Sequence, residues 1–172
     1  MRSNECYESY PVWIVIIANL VSICVYTIGA LIIYQIGIIW FILYLLYILL
    51  LEVKLLRTGC INCYYYGKCC AFGKGKLSRL LFKKGNPDIF SQKQVTWKSM
   101  VTDLMVSLIP IIVGVVLLLV DFNWLLLSGV ISLLLLTSVG NGVIRGSLAC
   151  KHCKQLELGC PAQQLFSKNK RQ

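Results

Sequence analysis

The chain has 172 residues, 58% of them apolar and only 14% charged, yet it carries a formal net charge of +10. With a mean hydropathy of +0.74, this composition excludes an ordinary water-soluble domain and fits one compact unit dissolved in lipid. No nucleic-acid-reading motif accompanies the charge, so nucleic acid is not expected as a partner and anionic lipid is.

From Pro11 through Leu51 the only ionisable side chains are tyrosines and Cys24. A hydrocarbon core takes roughly 20 apolar residues per helix, so this run predicts two spans, about 12–33 and 37–56, reversing at Gln35 between Tyr34 and Gly37. The run is too long for a signal peptide and lacks a small-residue cleavage site, which makes the first span an uncleaved one. A loop over 57–100 follows. Within it Leu77, Leu80 and Leu81 recur at helical spacing, with Lys76, Arg79, Lys83 and Lys84 between them. That pattern predicts a short basic helix lying in the membrane interface and ended by Gly85-Asn86-Pro87. Gly67, Gly73 and Gly75 lack the spacing of a phosphate-binding loop.

A second apolar block predicts spans at about 104–120 and 124–144. Pro110 and Gly114 are expected to bend the third span. Asp121 and Asn123 supply the turn between the two, and Trp124 suits a membrane interface. A tail over 145–172 completes the chain. The expected fold is all-α integral membrane: four transmembrane helices as two hairpins, with a cytosolic cysteine-rich loop and tail.

Charge sets the expected sidedness. Nine Lys or Arg lie between Arg57 and Lys98 against one acid, Asp88, and six lie from Arg145 onward against Glu157. Short basic loops stay cytoplasmic, which predicts a cell-membrane protein with both termini in the cytosol. Glu52 and Lys54 sit within a turn of that boundary, where they can snorkel, and Asp103 is similarly shallow. No row of ionisable residues crosses the bilayer, which argues against a proton or cation pathway.

Seven of the nine cysteines fall into two patches, each just after an apolar run and an arginine, Arg57 or Arg145. The first reads Cys60-x2-Cys63-x5-Cys69 with Cys70 adjoining, and the second reads Cys150-x2-Cys153-x6-Cys160. Together they suggest an internal repeat of helix, turn, helix and cysteine motif. Cytosolic thiols are kept reduced, so disulfides are not expected. A two-residue gap lets both sulfurs of a C-x2-C turn converge on one ion, and two such turns, Cys60, Cys63, Cys150 and Cys153, offer four thiolates.

With third cysteines in each patch, seven candidate ligands emerge: Cys60, Cys63, Cys69, Cys70, Cys150, Cys153 and Cys160, for zinc or an iron–sulfur cluster. Of the adjacent Cys69 and Cys70 one is expected to be spare. His152, lying between Cys150 and Cys153, should point away from their ion, and Cys6 and Cys24 stand apart as packing residues. Lipidation, loop packing and dithiol redox chemistry are the competing uses of juxtamembrane thiols. Tyr64, Tyr65 and Tyr66 read as interfacial anchors, with a water-excluding wall around a metal site as the alternative.

Three resemblances follow from these residues. Cys160-Pro161 is similar to the Cys-Pro that closes ferredoxin-type cluster motifs, although the six-residue gap before it departs from their spacing. Four spans with a cysteine-bearing loop between the second and third resemble the layout of protein acyltransferases with a zinc-bound cysteine-rich domain. Their Asp-His-His-Cys signature is absent here, where there is one histidine. The C-x2-C at a membrane edge resembles the vitamin K epoxide reductase family, in which a dithiol passes electrons to a quinone. Each likeness is one of layout, and no catalytic residue carries over.

The expected function is a membrane platform or assembly factor that binds zinc or an iron–sulfur centre and presents a basic face to lipid or a cytosolic protein partner. The alternative is a redox enzyme or electron carrier serving a quinone or a soluble partner.

Overall fold

The computed structural model describes residues 6–87, 90 and 97–160, with the side chains of 97–100 left aside. Asp88, Lys93, Pro161 and the rest of the tail lie outside the described residues. Four helices are long and apolar enough to cross a membrane. Only 11% to 33% of the most apolar stretch of each is buried, so most of their leucine and isoleucine surface is left facing outward.

Helix α1, Val12–Tyr34, ends where the Gln35 N–H bonds back to the Ile32 and Ile33 carbonyls. Gly37 then takes φ 149°, a value that a side chain disfavours, and α2, Ile38–Thr58, begins at once. The break between the two helices thus falls at Gln35–Gly37, and Tyr34 meets Phe41 edge-on across it.

The short basic helix α3 spans Lys74–Leu81, and the Phe82 N–H closes its last turn on Ser78. It sits tight against the first cysteine loop. A Cβ at Gly75 would run into the Tyr65 and Lys68 carbonyls, and Ser78 is fully buried. Leu77, Leu80 and Leu81 stay exposed, as their spacing predicts.

Helix α4 runs Trp97–Val120, starting well before the expected 104 and passing through Pro110. The proline is fully buried and stands opposite Gly29 of α1. Glycine at 29 also leaves room for the Tyr44 hydroxyl, which donates to the Val106 carbonyl of α4. Asp121–Asn123 form the next turn. Asn123 caps α5, Trp124–Leu135, by accepting the Leu125 N–H at 2.9 Å.

The fourth long apolar helix does not stop at 144. It continues through π-helical Leu136–Gly140, a single α-turn, and π-helical Ile144–Ala149. Helix α1 is the hub, packing on α2, α4 and α5. Two apolar clusters fill the space around it. One joins Ala30, Ile33, Tyr44, Ile48 and Val106, and the other joins Val25, Ile32, Val130 and Leu133.

Candidate functional site

Both C-x2-C motifs fold into the same local shape. Each lies just past a long apolar helix, in a 3-10 turn over Cys60–Asn62 or Cys150–His152. The second cysteine's N–H returns to the first one's carbonyl, at 3.4 Å for Cys63 and 3.3 Å for Cys153. Both second cysteines then adopt extended backbone, φ −82° and −86°. In each case the amide two residues on, Tyr65 or Gln155, points its N–H at that cysteine's sulfur. Amide donors of this kind favour thiolate over thiol.

A cap of tyrosines draws the two turns together. Tyr10, Ile14, Tyr65, Ala71 and Ala149 form its buried centre, with Cys63, Cys70 and Cys153 packed against them. Tyr65 is 2% exposed. Its hydroxyl donates to the Tyr7 carbonyl at 2.6 Å and accepts the Lys154 N–H at 3.0 Å, bridging three segments. Tyr10 donates to the Ala149 carbonyl. The Tyr64 N–H bonds to the Gln155 side chain at 2.7 Å.

The strap that binds both patches is the segment before α1. The Tyr7 N–H bonds to the His152 carbonyl and the Tyr10 N–H to the Cys69 carbonyl. Lys154 and Glu8 add an ion pair at 3.0 Å. Sequence reasoning missed this segment because five residues carry no readable period.

Within the cap, Cys63 is the centre of the sulfur groups. Burial pushes its thiol up to about 12. The Tyr65 amide opposes that rise, while the nearby thiols Cys153, Cys70 and Cys60 add to it. Cys153 is likewise pushed up by burial, opposed by the Gln155 amide, with Cys160 and Cys150 adding to the rise. Two sets of three therefore meet through Cys63 and Cys153.

Cys70 lines one cavity with Cys60 and Cys63, while the Cys69 carbonyl accepts the Tyr10 N–H. Counted to Cys70, the first patch reads C-x2-C-x6-C, as the second does. Cys6, expected to stand apart, does not. Its thiol donates to Glu157 at 3.4 Å, in the cap. The His152 ring packs on Tyr7 at 5.1 Å.

The first set also roofs a cavity of about 370 Å³ between the helices. From α1 and α2 its walls receive Ser22, Val25, Tyr26, Ile48 and Glu52. From α4 come Asp103, Val106 and Ser107, and from the fourth span Thr137, Asn141 and Arg145. Those last three recur every fourth residue, the one sequence signal that marks this wall. Glu52 accepts the Tyr26 hydroxyl at 2.7 Å and pairs with Lys74 at 2.5 Å.

No protein-family model matches the chain, and neither a curated protein nor a solved structure does. The site has to be read from its own chemistry.

The donor types suit a soft metal, since thiolate with amide N–H support is the usual environment of zinc and iron–sulfur centres. Among the described residues no group of three or more His, Cys, Asp or Glu side chains is placed to hold a metal ion. The fit is therefore one of donor type, backbone shape and proximity. Closing a shell of ligands requires the sulfurs to turn toward one another.

Proposed function

We propose that the chain is a cell-membrane protein of four spans, inserted as two helical hairpins with the cysteine cap and both termini in the cytosol. The cap holds zinc or an iron–sulfur centre through Cys60, Cys63 and Cys70 together with Cys150, Cys153 and Cys160. The metal staples the two hairpins and fixes a basic face, including α3, toward lipid or a cytosolic protein partner.

One observation carries this reading: Cys63 and Cys153 occupy like positions in two like turns and are neighbours. Loop packing or lipidation accounts for thiols near a membrane but not for matched turns with matched amide donors. Burial that keeps Cys63 protonated makes it a poor free-dithiol electron donor, because the thiolate is the reactive form. A metal displaces that proton and takes the same sulfur as a ligand.

The test is purification without oxygen, followed by metal and acid-labile sulfide analysis. Colourless protein with stoichiometric zinc supports the platform role. Brown protein with iron and sulfide in equal amounts supports the electron-carrier alternative. Protein with neither metal, and with unchanged folding in Cys63→Ser and Cys153→Ser, refutes the metal centre. Thiol labelling of intact cells by a membrane-impermeant reagent tests sidedness, and modification of Cys150 from outside refutes it.

A further inference from the structure

The cavity beneath the first thiol set has a charge balance that specifies an occupant. Four ionised side chains line it: Glu52, Lys74, Asp103 and Arg145. Glu52 and Lys74 neutralise each other. Among the described residues Arg145 and Asp103 have no ion-pair partner, so the cavity presents one free cation and one free anion.

The uncharged polar groups sharpen this. Ser22 donates its hydroxyl hydrogen to Ala18, Ser107 to Leu104 and Thr137 to Leu133, each within its own helix. Tyr26 spends its hydroxyl hydrogen on Glu52. These four oxygens therefore offer lone pairs to the cavity, and Asn141 adds an amide with one acceptor and two donors. A group rich in N–H donors satisfies them, and a primary ammonium brings three. The Arg145 guanidinium calls for an oxyanion. Between these polar ends the wall is apolar, through Val25, Ile48, Leu51, Leu55 and Val106. The volume falls at the lower end of small-molecule sites, roughly 300–1,000 Å³.

We propose that this cavity binds the head and upper chain of one zwitterionic membrane phospholipid bearing a primary ammonium, with its phosphate on Arg145 and its ammonium on Asp103. The proposal rests on the membrane-spanning part of the reading above and is independent of the metal.

Native mass spectrometry of the full chain, extracted in detergent and offered lipids of matched chains, tests it. Wild-type protein should retain one phosphatidylethanolamine, and should prefer it to phosphatidylcholine and to phosphatidylglycerol by roughly tenfold, as expected for lost charge-assisted hydrogen bonds. Equal retention of the three, or preference for phosphatidylglycerol or a neutral quinone, overturns it. Displacement of the lipid by free phosphoethanolamine at equal concentration overturns the assignment to a lipid. Arg145→Gln and Asp103→Asn, with helicity checked by circular dichroism, should each lose the ethanolamine preference, and Asp103→Asn should move it toward phosphatidylglycerol. Should either variant fail to fold, the wild-type lipid ranking decides alone. Recovery of the chain without any detergent would instead mean that the membrane reading itself fails.

Discussion

Cys63 and Cys153, ninety residues apart in sequence, are structural counterparts: each follows a 3-10 turn, each takes an amide N–H at sulfur, and the Cys153 thiol acts electrostatically on Cys63. The relationship groups two further cysteines with each of the pair, Cys60 and Cys70 with Cys63, Cys150 and Cys160 with Cys153, and leaves Cys6, Cys24 and Cys69 outside both sets.

The first prediction concerns that remainder. Cys69→Ser should leave bound metal at the wild-type level, because only its backbone is engaged, by Tyr10. Cys70→Ser should lower metal affinity by roughly tenfold or more, as loss of a ligand does. Metal content of the purified variants by mass spectrometry reads the difference. The reverse order would restore the spacing with Cys69.

Tyr65→Phe should loosen the cap. The variant keeps the ring but strips one buried donor from the Tyr7 carbonyl and one acceptor from the Lys154 N–H. A cost of about 1–3 kcal/mol is expected from leaving such groups unpaired. It should show as faster proteolysis before α1 and a lower melting temperature. An unchanged protein would mean that water replaces the hydroxyl.

Glu52 and Lys74 join the end of α2 to the start of α3, with side chains about a quarter exposed at 27% and 21%. A double-mutant cycle with Glu52→Gln and Lys74→Met should return a coupling of about 1 kcal/mol, above the usual surface pair and below a fully buried one. A coupling near zero would show that the two charges are held by solvent.

Alkaline pH should unfasten the metal-free cap. Burial pushes the Cys63 thiol, ordinarily 9.0, and the Tyr65 phenol, ordinarily 10.0, each up to about 12. Both groups hold their protons more tightly folded than unfolded, so the unfolded chain ionises first. Stability is therefore whole below about pH 9 and declines until the folded groups titrate near 12. Melting temperature against pH in chelator-treated protein should fall across that window. A rise there would contradict the sign of both shifts.

Much of the fold was legible because lipid-scale apolar runs leave few alternatives. The reversal at Gln35 and the Asn123 cap follow from local chemistry that a sequence displays. The ends of the helices were less legible. Hydropathy lost α4 at Asp103 and lost the fourth helix at Arg145, although the helices continue there. Polar residues facing a cavity count against a span in any average while fitting its interior wall. At the site, the choice between Cys69 and Cys70 depends on a hydrogen bond from Tyr10, a contact made across the whole fold. The patches and their C-x2-C turns were visible in the sequence, whereas the strap joining them was not.

The strap runs from the first described residues to the last ones, Tyr7 to His152 and Tyr10 to Ala149. During synthesis its early half must wait, with hydroxyl and amide unmatched, until the fourth helix has left the ribosome. The latch thereby depends on the fourth helix: a nascent chain cut short of Ala149 should keep its leading segment open to a protease, and one that extends past His152 should close it.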